Sequence, residues 1–147
     1  MKSSCRFYQS SFETALALFA FLREERSFNV STYFINYECS IVWKKSPLQL
    51  RLGFEMPDIP RLWMTYLVDN HPKEESVAVM HFPASLQETV KEYFERIESM
   101  HDLELERAFL KDEYASIQIQ IISHYADVVR LRLEEFVEIA SRLRKGD

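Results

Sequence analysis

Between Asn29 and Trp43 the chain alternates with a period of two. Tyr33, Ile35, Tyr37, Cys39, Ile41 and Trp43 fall on one side, and Phe34, Asn36, Glu38, Ser40, Val42 and Lys44 on the other. Successive side chains of an extended strand point to opposite faces, so this run specifies a strand and not a helix. "KKSP" then supplies a turn, and "LQLRLGFE" alternates again, with Leu48, Leu50, Leu52 and Phe54 facing inward. An antiparallel hairpin is the direct reading. Pro47, Pro57 and Pro60 punctuate the region, because proline cannot donate to a central ladder and so marks strand starts and connections. After them "RLWMTYLVDN" predicts a third strand, with Leu62, Met64, Tyr66 and Val68 on one face and Trp63 and Leu67 on the other. "DNHPKEES" reads as a loop, and "VAVMHF" is open to a fourth strand at an edge.

Helical spacing brackets this sheet. A first helix is expected over residues 11–25, with Phe12, Ala15, Leu16, Phe19 and Leu22 as its apolar face and Ser10 and Glu13 in the relation of a capping box. A second starts at Ser85 and Glu88 in the same relation, and Leu86, Val90, Tyr93, Phe94 and Ile97 form its stripe. The last covers Asp127 to Lys145, with Arg142, Arg144 and Lys145 suiting the negative end of the helix dipole. Between the second and the last lies "LELERAFLKDEYASIQIQIISH", which can be read as one charged helix or as two strands joined at "KDEY". Ile117, Ile119 and Ile121 recur at a spacing of two, and β-branched residues favour extended structure, so the hairpin is the expectation. The fold class is then α+β, in the order helix, three or four antiparallel strands, helix, β-hairpin, helix, with the sheet packed by amphipathic helices. No repeat or long linker divides the 147 residues, which are read as a single domain over 1–147.

Composition excludes several classes of function. Hydrophobic residues make up 47%, far from the regime of disordered chains. Two glycines leave no glycine-rich phosphate loop. The net charge of −5 gathers late in the chain, with 11 basic against 17 acidic residues after position 60, so nucleic acid is not an expected partner. The longest apolar run of the first helix, Ala15 to Leu22, is too short to span a bilayer, and no membrane partner is expected. Cys5 and Cys39 belong to no metal-binding pattern and imply a reduced, cytoplasmic protein.

No catalytic, cofactor or metal motif is present. His71, His81, His101 and His124 are scattered. The first two, with Asp69 nearby, leave a weak metal site open. Adjacent acids such as Glu134 and Glu135 occur where an amphipathic pattern wants solvated residues. The more informative feature is the second sheet face, to which the alternation assigns Phe34, Val42, Trp63 and Leu67. Either helices cover both faces or these four dock another chain.

The order of elements, from "SFETALALFAFL" through "FINYECSIVW", "LQLRLGFE" and "RLWMTYLV" to "LQETVKEYFERI" and "VVRLRLEEFVEIASRL", resembles the class I chaperones of type III secretion. That resemblance implies a non-enzymatic protein-binding module, a small acidic chaperone that binds an extended segment of a secreted effector. It also implies a homodimer formed through Leu86, Val90, Tyr93, Phe94 and Ile97, with effector contacts among Phe34, Val42, Trp63 and Leu67, and no cofactor. A bacterial immunity protein that covers a toxin with an acidic surface suits the same size and charge, since residues 85–102 carry five acids against two bases. An enzyme whose groups assemble from distant positions is the third class.

Overall fold

The computed structural model describes residues 5–35, 38–68, 71–76 and 82–144. A 3-10 turn at Cys5–Tyr8 runs into α1 (Gln9–Leu18) and α2 (Ala20–Glu24). Five strands follow, β1 (Asn29–Ile35), β2 (Glu38–Lys45), β3 (Leu48–Phe54), β4 (Arg61–Val68) and β5 (His71–Ser76), and then α3 (Ala84–Glu98), α4 (Asp102–Leu110) and α5 (Ala115–Arg144). The strands form one antiparallel sheet in chain order. The α+β class is the one expected.

Its inner face is the one the alternation identified. Leu48, Leu50, Leu52 and Phe54 of β3 and Leu62, Met64 and Tyr66 of β4 are all buried, together with Cys39, Ile41 and Trp43 of β2. Burying each such side chain contributes roughly 1.5–3 kcal/mol, so this face is a large part of the core. α5 packs on β3 and β4 and against α1, and α3 packs on α5. The opposite face leaves Ser31 and Lys44 exposed and Tyr33, Gln49, Arg51, Trp63 and Thr65 half-buried. Among the described residues, helices therefore cover one face only.

The long strand expected over 29–43 is two strands, β1 and β2, paired from Ile35↔Glu38 to Asn29↔Lys44. A single strand of that length would exceed the usual 3–10 residues, and Asn36 is a residue that turns favour. The reversal changes the face of every β1 residue. Phe34 pairs with Cys39, so it belongs to the inner face and not to the outer set in which the alternation placed it. The edge-strand reading of "VAVMHF" falls almost wholly outside the described residues. The fifth described strand is "HPKEES", where composition predicts a loop.

The hairpin expected over 103–122 is helical. Gln118, Ile121, Ile122, Tyr125, Ala126, Val129, Leu133, Phe136 and Ala140 are buried in a continuous three-and-four spacing along α5. The period of two in the isoleucines is a short coincidence inside that longer stripe, since Ile117 and Ile119 lie on its flanks, half-buried. The helical cost of a β-branched residue is a few tenths of a kcal/mol, an order below what each buried position returns. "KDEY" does turn the chain, but between helices. Asp112 adopts φ 57°, the Glu113 N–H donates to Ala108 O at 3.1 Å, and the Asp112 N–H donates to Phe109 O at 3.1 Å. That is a Schellman ending, with aspartate in the left-handed position usually held by glycine.

Neither expected capping box forms: Tyr8 and Pro83 hold the N-cap positions of α1 and α3, without side-chain caps. Ser10 donates instead to Asp112 Oδ2 at 2.7 Å, and the buried Ser11 hydroxyl donates to Gln118 Oε1 at 2.6 Å. Both bonds tie α1 to the α4–α5 corner. Cys5 and Cys39 are joined in a disulfide, where their scattered spacing implied two free thiols. The bond fastens the N-terminal turn to β2.

Candidate functional site

On the outer face Val42 pairs with Arg51 and Arg51 with Trp63, making one row across β2, β3 and β4. The Arg51 guanidinium lies over the Trp63 indole at 5.9 Å and meets Glu38 Oε1 at 2.6 Å. Glu38 reaches it by crossing Gly53, where a side-chain carbon would overlap its carboxylate oxygen. Glycine is needed here for room.

Beside this row the β3–β4 connection carries a second pair. Asp58 Oδ2 accepts from Arg61 Nε at 2.6 Å, and Asp58 Oδ1 accepts from the other arm of the guanidinium at 3.0 Å and from the Ile59 N–H at 2.8 Å. Bidentate pairing of this kind fixes direction as well as charge. The two pairs, with Trp63 and Glu55, line a cleft of about 210 Å³. Glu55 is exposed and forms no ion pair with a described residue.

The connection is held from behind by three tyrosines on three different elements. Tyr8 donates to Asp58 O at 2.9 Å, Tyr93 to Pro57 O at 2.8 Å and Tyr125 to Pro60 O at 2.8 Å. The connection has no ladder to satisfy its carbonyls, and one left buried and unpaired costs about 1–3 kcal/mol, so each hydroxyl answers a specific need. Burial raises all three phenol pKa values above the ordinary tyrosine value. At Tyr8 and Tyr93 the nearby Asp58 carboxylate adds to the shift, and at Tyr125 the Arg61 cation opposes it. The neutral, donating form is the one the fold holds. Asp58 and Arg61 are thus presented on a rigid support.

Of the four outer-face residues expected to bind a partner, Val42 and Trp63 occupy that face. Val42 is buried within it and Trp63 half-buried. Phe34 lies on the inner side, and the side chain of Leu67 is outside the described residues. The stripe expected to form a dimer is used within one chain. Leu86, Tyr93 and Ile97 are buried, and Val90 and Phe94 pack half-buried against the same core. Its physical reason is α5, whose long apolar stripe needs a second helix beside it. The approach of His71 to His81 falls outside the described side chains, and among the described residues no three metal-binding side chains converge. His124 stands edge-on to Phe82 with its buried Nε2 unpartnered. Burial lowers its pKa, against an opposing pull from Asp127.

Arg51, Asp58, Arg61 and the tyrosine clamp escaped the sequence reading. Outward arginines look like ordinary solvated positions, and buried tyrosines read as apolar residues of a stripe. The one available signal was "MPDIP", a proline-bounded connection whose carbonyls need donors from elsewhere. Among the described residues no helix is long and apolar enough to cross a membrane. Comparisons with protein-family models, with curated proteins and with solved structures returned no match to this chain.

Proposed function

We propose that this chain is a non-enzymatic protein-binding module that seats its partner on the open outer face of the sheet, around Trp63. One observation carries the reading: a half-buried tryptophan stacked under an arginine, in a row with Val42 and beside a second, bidentate arginine pair. Tryptophan, tyrosine and arginine dominate the energetic centres of protein interfaces, and Tyr33 adds to them on the same face. The surface is preformed, since Gly53 and the tyrosine-held connection fix both arginines. A partner therefore meets little ordering cost on binding.

The effector-chaperone reading drew on two strands between the second and last helices. That stretch is helical, so the proposal rests on the sheet face alone. A neutralising role towards a basic partner is the second reading, favoured by Glu88, Glu92, Glu95 and Glu98, which all lie exposed along α3. Purification from the native cells with Trp63→Ala beside the parent chain separates the two. Loss of one specific partner by a factor of ten or more, on the order of 1.4 kcal/mol, supports the sheet-face reading. Retention of that partner by Trp63→Ala, with loss on Glu92→Lys and Glu95→Lys, moves the site to α3.

A further inference from the structure

α4 exposes two leucines that the core does not use. Leu103 is 59% exposed and Leu110 48%, while Leu105, Ala108 and Phe109 on the opposite side of the helix are buried. Positions seven apart lie on one helical face, about 10.5 Å from each other along the axis. Between them, on the same outward side, stand Glu106 and Arg107, both exposed. At the two ends stand Asp102 and Lys111, also exposed. None of these four charges is ion-paired with a described residue.

The order of these residues is self-complementary. Two α4 helices laid antiparallel about a two-fold axis between Glu106 and Arg107 bring Leu103 of each against Leu110 of the other. The same register sets Glu106 opposite Arg107 and Asp102 opposite Lys111, each pair occurring twice. A closed two-fold contact requires this property, that one patch complements itself. Charge complementarity alone would also admit a foreign helix, but a foreign helix would need the same alternation of leucine, acid, base and leucine by chance. A shallow cleft of about 440 Å³ lies beside the helix, with Met100, Leu103 and Arg107 in its wall. Glu104, Lys111 and Glu113 also line it.

We propose that α4 joins two copies of this chain in an antiparallel helix pair. A nine-residue helix offers a contact at the small end of specific interfaces, so the association is weak and concentration-dependent. It leaves the outer sheet face of each copy free. Two copies would then present two partner sites, and a divalent partner would be held more tightly than by one copy.

Sedimentation equilibrium over a wide concentration range tests this. The parent chain is expected to show a monomer–dimer equilibrium. Leu103→Glu is expected to weaken it about tenfold or more, with an unchanged circular dichroism spectrum because the site is exposed. Glu106→Arg alone and Arg107→Glu alone should each weaken the dimer by setting like charges across the axis, and the double exchange should restore it. A parent chain that stays monomeric at every concentration overturns the proposal. So does a dimer that survives Leu103→Glu, or one that the double exchange fails to restore after the single ones have broken it.

Discussion

The two faces of the sheet are built from the same strands by opposite means. On the inner face leucines, tyrosines and tryptophan are buried almost completely, and three carbonyls of the β3–β4 connection at its end are each met by a tyrosine hydroxyl. On the outer face Ser40 and Val42 are buried but most other side chains stay half-buried or exposed, and charge pairs with a stacked indole take the place of packing. Exposed ion pairs contribute about 0–1 kcal/mol each, against several for a core side chain. The outer face can therefore be altered with little cost to the fold. The inner face cannot.

The largest effect expected from this contrast is alkaline. The unfolded chain releases its phenol protons near pH 10, whereas the folded chain retains those of Tyr8, Tyr93 and Tyr125. Stability is therefore complete below pH 10 and falls as pH rises beyond it, by up to about 4 kcal/mol per pH unit if all three protons are retained. Urea titrations at stepped alkaline pH read that slope. Tyr125→Phe should lower it by about one proton, and a slope unaffected by the substitution would detach the hydroxyls from the loop.

Next in size is a cavity on the inner face. Leu50→Ala is expected to cost about 2–5 kcal/mol in chemical unfolding. A loss below about 1 kcal/mol would mean that the two faces are less distinct than their burial indicates. Smaller still is Gly53→Ala on the outer face. The added carbon displaces the Glu38 carboxylate, but the lost pair is partly exposed and alanine regains about 0.5–1 kcal/mol of chain entropy. Stability should stay within about 1 kcal/mol of the parent, while partner capture falls. If stability falls by several kcal/mol and capture is unchanged, the pair belongs to the fold and not to the site.

How much of this was legible in the sequence follows from the same contrast. β3 and β4 were legible because one face is buried and the other is not, which writes a strict alternation into Leu48, Leu50, Leu52 and Phe54. The break between β1 and β2 was not, because the reversal keeps hydrophobic residues at odd positions on both sides of it while exchanging the face they serve. The corner at α4 and α5 was misread for a related reason. Over five residues the isoleucines fit a strand, and only the full stripe from Gln118 to Ala140 shows the helical spacing. Of the site, the sequence showed Val42 and Trp63 as apolar residues on the wrong side of a strand. Arg51 and Arg61 gained meaning only from neighbours that the register brought to them.

The three tyrosines also impose an order in time. Their hydrogen bonds reach across 50, 36 and 65 residues of chain to one short connection. On a ribosome the β3–β4 connection emerges with only Tyr8 already made, and the Pro60 carbonyl must wait for a donor on the last helix. The sheet can therefore pair early, but its sealed end is completed only once Tyr125 on α5 has been made. Truncation anywhere before Tyr125 leaves that end open.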